Sequence, residues 1–232
     1  MIRQKIGDNL KRIGEQIDAA ARRSGRSGEN VSLIAVTKYA ENDWVQALFD
    51  FGHRALGESR PQQLARRANE FPVEIEWHLI GHLQRNKVDL VLPVTTRIHS
   101  VDSLRLARKI SDSATKSSTT QSVLLEVNVA GEEAKDGLAP STLLEQWSEF
   151  RELPSVQIDG LMTMAPRSNE TESTRSVFRG LRELRDELAE ASDGECPLPE
   201  LSMGMSGDFE IAIEEGATLV RIGSSLYEGL SR

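Results

Sequence analysis

The stretch VSLIAVTKYAENDWVQALFDFGHRALGES, residues 31–59, carries the architecture in miniature. Val31 to Lys38 is a dense, partly β-branched apolar run with too few residues for a helix of its own, the pattern of a strand buried on both faces. Trp44, Val45, Leu48 and Phe49 then recur at helical spacing, and Ala55 to Ser59 reads as a second short strand. Strand, helix and strand in this order predict parallel pairing, because parallel neighbours need a crossover and a helix is the usual one.

The same unit repeats downstream. A polar helical stretch from Pro61 to Glu70 precedes a strand at Ile75 to Gly81. A short helix from Gln84 then leads to a strand at Arg97 to Ser100. Leu104, Leu106 and Ile110 mark the next helix, and Ser122 to Val129 the fifth strand. A helix with Leu143, Leu144, Trp147 and Phe150 follows, then the strand Val156 to Met164. The next helix carries Val177, Leu181, Leu184 and Leu188 and opens on an Asn-headed capping box, Asn169 to Glu172. A short strand around Pro199 to Ser202, a helix after Ser206 and a strand at Thr218 to Gly223 complete eight. Upstream, Ile2, Ile6, Leu10, Ile13 and Ile17 make one stripe on a helix ending near Ser24-Gly25. The polar run Ser111 to Gln121 reads as a solvated connector, and Ala191 to Glu200 as a loop.

Eight strand–helix pairs predict an α/β chain folded as a single (β/α)8 barrel with an extra N-terminal helix, one domain over residues 1–232. An open Rossmann-type sheet is the rival, but the first strand ends in Thr37-Lys38-Tyr39 where that fold requires a glycine-rich turn. The 28 basic against 36 acidic residues leave a net charge of -8, which disfavours a broad nucleic-acid or anionic-membrane surface and still permits a local basic pocket. No stretch approaches the ~20 apolar residues of a membrane span, and the charged start does not read as a signal peptide. The single cysteine, Cys196, can form no internal disulfide, so a reduced cytoplasm fits best.

Barrel sites gather at the carboxyl ends of the strands. Lys38 ends the first strand, where a partly desolvated amine would suit a Schiff base; a lysine snorkelling to water is the plainer alternative. Ser206-Gly207 and Gly223-Ser224-Ser225 follow the seventh and eighth strands, where barrels commonly hold phosphate, although either could be only a cap or a turn. Arg221 lies on the eighth strand, beside the first, and faces the same cavity or pairs with an acidic neighbour. An amine, a phosphate cradle and a fixed cation at one mouth make a seat for pyridoxal phosphate. His78 and His82 either line that mouth or, for His78, sit hydrogen-bonded in the core; no metal-ligand spacing emerges.

The segments AVTK around Lys38, Gly57 to Ser59, Glu76 to Lys87, Val127 to Gly137, Gly160 to Met164 and Leu201 to Gly229 together resemble the pyridoxal phosphate homeostasis protein family, whose barrel is similar to the N-terminal domain of alanine racemase. The resemblance spans nearly the whole chain. It implies that Lys38 carries the Schiff base, that Arg221 approaches the pyridine nitrogen, and that Ser206, Gly223 and Ser224 hold the phosphate. Ser59 stands where the family usually has Asn, and Tyr39-Ala40-Glu41 where it tends to have a nearby proline. The implied role is a monomeric carrier that buffers pyridoxal phosphate or delivers it to apo enzymes, with no catalytic residues and no metal. An amino-acid racemase of the same cofactor, or a barrel enzyme acting on a phosphorylated metabolite, are the alternatives.

Overall fold

The computed structural model describes residues 1–132, 136–166 and 170–230. Eight parallel strands pair in chain order and close into a barrel, as the alternation predicts. They are β1 (Ser32–Val36), β2 (Ala55–Glu58), β3 (Glu76–Leu79), β4 (Arg97–Val101), β5 (Gln121–Glu126), β6 (Val156–Met162), β7 (Glu200–Ser202) and β8 (Leu219–Ile222). The helices described are α1 (Ile2–Arg23), α2 (Asn42–Asp50), α3 (Pro61–Glu70), α4 (Val88–Val91), α5 (Leu104–Lys116), α6 (Pro140–Glu145), α7 (Trp147–Arg151), α8 (Thr171–Glu190) and α9 (Phe209–Glu214). None is long and apolar enough to cross a membrane.

Successive strand residues face opposite sides, and this sorts the apolar residues into two cores. Ala35, Leu125, Val220 and Ile222 join the large core between sheet and helices, whereas Ile34, Leu124, Met162 and Leu219 form a small separate one inside the barrel. Alternation along the same strands adds a polar group to the inside. Arg97 pairs with Asp159 at 2.9 Å and Glu200 at 3.1 Å and donates to Ser122 at 2.9 Å. The strands therefore carry both apolar and hydrogen-bonded polar side chains into the interior, as a filled barrel requires.

One stretch differs from the sequence reading. The run from Ser111 is not all connector: α5 continues to Lys116, with Ser111 and Ser113 buried. Its apolar stripe extends through Ala107, Ile110 and Ala114, and the serines on that face are bonded, Ser113 to Asp89 at 2.6 Å and Ser111 to the Pro154 carbonyl. Asn169, the head of the expected capping box, lies outside the described residues; α8 begins at Thr171.

α1 buries Ile6, Ile13 and Ile17 while Ile2, at its free end, stays exposed. The helix also reaches toward the carboxyl end of the chain. Buried Asn9 donates to the carbonyls of Leu226 (2.9 Å) and Glu228 (3.1 Å), and Arg12 to that of Ser225 (3.2 Å). The extra N-terminal helix thus anchors the 3-10 turn Ser224–Tyr227 that follows β8.

Between β7 and α9 the chain turns at Gly204, with φ of +92°. A Cβ there would lie 2.6 Å from that of Ala212 and 2.9 Å from the Phe209 Cα. Gly204→Ala is expected to cost about 1–3 kcal/mol, read as a lower urea midpoint at unchanged slope.

Candidate functional site

A cavity of about 1000 Å³ opens at the carboxyl ends of the strands. Of the residues singled out in the sequence, Lys38, Ser59, Ser206, Gly207, Arg221, Gly223 and Ser224 line it. Trp44, Ile80, Met164 and Tyr227 give it apolar walls. His78 is not on its surface.

Ser206 serves a different local purpose from the cap the sequence allowed. It lies in a turn before α9, whose N-cap is Asp208, and its hydroxyl oxygen accepts from the N–H groups of Gly223 (3.3 Å) and Ser225 (3.4 Å). Those bonds are long, so the β7 and β8 loops present one hydroxyl and two weakly engaged N–H donors to the same space. Asp208 accepts from the Met205 N–H at 2.5 Å and holds the turn.

Arg221 rises from β8 into the cavity floor, almost fully buried. It donates to the Ser202 hydroxyl at 2.6 Å and the Thr163 carbonyl at 3.0 Å. Burial lowers its pKa to about 10 against the pull of Glu126 and Asp208, which leaves it charged at neutral pH. Behind it runs a buried relay that the sequence reading missed. Ser202 lies 2.8 Å from His99 Nδ1, and His99 Nε2 lies 2.9 Å from His78 Nδ1. Burial drives both imidazoles toward the neutral form, His78 down to about 3. The guanidinium can only donate, so Ser202 accepts from it and gives its own hydrogen to His99, which in turn donates to His78. His78 is thus the far end of a support for Arg221. The only sequence signal was the inward parity of His78, His99, Ser202 and Arg221, and parity is invisible until strand register is known.

Lys38 follows β1 at the mouth, exposed, with its amine 5.3 Å from the Tyr39 ring centroid. The loop carrying it is clamped from the outer side of the barrel. Arg67 of α3 donates to the carbonyl of Thr37 at 2.7 Å and to that of Ala40, and pairs with Glu58 at 2.5 Å. Glu58 also accepts from the Thr37 hydroxyl at 2.7 Å. The ion pair is almost wholly buried, and burial still leaves the Glu58 carboxyl above its ordinary range. Arg67 was not singled out in the sequence, and Glu58 was marked there only within the strand-end segment Gly57 to Ser59.

Glu126 ends β5, buried, and its pKa is pushed up to about 7 by burial first and by the carboxylates of Asp102 and Asp136 next, with Arg221 opposing. Asp102 and Asp136 lie 3.3 and 3.6 Å from His82 Nδ1. The fold thereby gathers three groups of metal-ligand type that no sequence spacing links.

The family model for the alanine racemase N-terminal domain matches residues 9–231. The chain is 42% identical to the pyridoxal phosphate homeostasis protein of Aquifex aeolicus over 221 residues, 95% of this chain and 96% of that one. A crystal structure of an unknown protein from Bifidobacterium adolescentis superposes with a TM-score of 0.90 at 38% identity, covering 97% of this chain and 96% of that one. PipY from Synechococcus elongatus, solved with PLP bound, superposes at 0.79 with 32% identity, covering 92% and 99% respectively.

Two measurements test the buried charges. Arg67→Met strands Glu58 and is expected to cost about 3–5 kcal/mol in denaturant unfolding, with only part of it recovered in Arg67→Met/Glu58→Leu, since the clamp on the Thr37 and Ala40 carbonyls stays lost. Glu126 binds its proton more tightly folded than unfolded, so its contribution to stability is full below its unfolded pKa and is lost as pH rises toward and through about 7. Glu126→Gln is therefore expected to flatten the fall in stability between about pH 4.5 and 7 and to be the more stable protein at pH 8.

Proposed function

The chain belongs to the alanine racemase N-terminal domain family and to that of the pyridoxal phosphate homeostasis proteins, and from that premise we propose that it holds pyridoxal 5'-phosphate as a Schiff base on Lys38 and buffers or delivers it. The observation that carries this reading is the convergence of Lys38, Arg221 and the Ser206–Gly223–Ser224 cradle on one cavity. The residues fit the group. Each of its three polar features, aldehyde, ring nitrogen and phosphate, has a partner of matching chemistry, and Trp44, Ile80 and Tyr227 supply apolar wall for its ring.

When bound, the cofactor supplies an aldehyde that condenses with an amine, one C=N bond forming and one water leaving, on an electron-withdrawing ring. Lys38 supplies the amine, on a loop whose carbonyls are held by Arg67. The Ser206 hydroxyl and the N–H groups of Gly223 and Ser225 exchange their long mutual bonds for charge-assisted ones to phosphate oxygens, with Ser224 beside them. Arg221, facing the ring nitrogen and charged at neutral pH, keeps a proton off it and so weakens the ring as an electron sink. Ser59 lies on the wall where the family usually has an amide, so that side-chain contact to the cofactor is shortened or replaced. His78 acts at a distance, by fixing Arg221 through His99 and Ser202.

A ring kept unprotonated favours holding over carbanion chemistry, so the protein is proposed as a cytoplasmic, monomeric carrier without racemase activity whose recipients are apo enzymes of this cofactor. Mixing the protein with pyridoxal phosphate is expected to raise an imine band near the visible edge, and borohydride reduction to fix a pyridoxyl phosphate adduct on Lys38, identified by mass spectrometry. A band that survives Lys38→Ala, or its absence from the wild type, would sink this reading, and racemisation of an amino-acid panel at ordinary turnover would replace it with an enzyme.

A further inference from the structure

A second cavity, about 620 Å³, adjoins the first and shares Lys38 and Tyr39 with it. Four of its wall residues are cationic, Lys38, Arg60, Arg66 and Arg67, and one is acidic, Glu41. In a protein of net charge -8 this is a local reversal of sign inside a concave surface, where field lines concentrate. The two exposed arginines are available to a ligand, whereas the charge of Arg67 is matched by Glu58. Arg60 is exposed and forms no ion pair among the described residues, and Arg66 has only a 3.7 Å contact with Glu70. Arg67, at the back, is buried with its Nε left without a hydrogen-bond partner. The first turns of α2 and α3, which frame the cavity, lack side-chain caps, so their free N–H groups add to the positive field.

We propose that this vestibule is a second anion site, which receives the phosphate of the incoming cofactor before Lys38 captures its aldehyde. The inference rests on the cofactor reading above. A doubly charged phosphate monoester gains most from several converging cations, and the shared Lys38 makes the two cavities one path from solvent to the cradle. The vestibule wall is also mechanically part of the Lys38 loop. Gln63 donates to the Lys38 carbonyl at 3.3 Å, and Arg67 holds the carbonyls of Thr37 and Ala40 on either side. An anion seated there lies against the backbone that presents the amine.

The test is stopped-flow growth of the imine band in the wild type and in Arg60→Gln/Arg66→Gln, each mixed with pyridoxal phosphate and with pyridoxal, which lacks the phosphate. The double variant is expected to lower the ratio of the two capture rates about tenfold and to flatten the salt dependence of phosphate-ester capture. An unchanged ratio would overturn the proposal. Failure of the cofactor reading shows separately, as no band in the wild type with either aldehyde. The vestibule is then decided by titrating the wild type and both Arg60→Gln/Arg66→Gln and Ser206→Ala with inorganic phosphate, followed by ³¹P NMR. Two sites in the wild type, with the arginine variant and the serine variant each losing a different one, support it. A single site untouched by the arginine changes removes it.

Discussion

Pairing of β8 with β1, which sets Ile34 opposite Arg221, closes the barrel and brings the two ends of the chain to one mouth. Closure forces an inside and an outside on every strand, and all else follows from which parity each residue has. On β8, Arg221 inherits the inside and Ile222 the helix-facing core. On the adjoining strand Val36 takes the inside, and Lys38, two residues on, emerges at the rim. Thr37, of the other parity, reaches outward to Glu58 and Arg67. One strand end therefore presents an amine to the cavity and anchors its own loop in the layer beneath α3.

Burying charge costs solvation, whether inside the barrel or beneath its helices, and the protein offsets that cost with hydrogen bonds to the buried cations. Arg97 is shared among two carboxylates and a hydroxyl, and Arg67 among a carboxylate and two carbonyls. Among the described residues Arg221 has no direct carboxylate partner; its bonds go to a hydroxyl and a carbonyl, with Glu126 and Asp208 acting through their fields. Neutral histidines behind it add no competing charge. A cation held in this way keeps its donors fixed while retaining attraction for whatever enters the cavity.

The contrast between the two cavities is itself electrostatic. The larger one mixes apolar wall with a few convergent polar groups, as ligand sites do. The smaller is polar, rimmed by the exposed Arg60 and Arg66, and opens beside the same amine. On the opposite side of the strand order, Glu126, Asp102 and Asp136 make the field negative, so the mouth is polarised across its width. An acidic protein can in this way retain an anion site without altering its net charge.

Periodicity alone was sufficient for the eight strands, their parallel order and the extra helix, because burial on both faces imposes dense apolar runs and parallel crossovers impose intervening helices. It misjudged Ser111 to Lys116, where small polar residues hide a helical stripe whose serines are satisfied by the Pro154 carbonyl and the Asp89 carboxylate, partners far off in the chain. That Lys38, Arg221, Ser206, Gly223 and Ser224 share one cavity was legible because they lie at strand ends, which meet at one barrel mouth and can be located in a linear text. Their true contacts were not. That Ser206 accepts from Gly223 and Ser225 instead of capping a helix, that His78 stands behind Arg221 through His99 and Ser202, and that Arg67 grips the Lys38 loop all depend on register and on distances between residues far apart in the chain. The amino-acid order determined the barrel and the chemical types at its mouth; only the closed three-dimensional fold decided which of them touch, since hydrogen bonds and ion pairs act over a few ångströms of space and not along the chain.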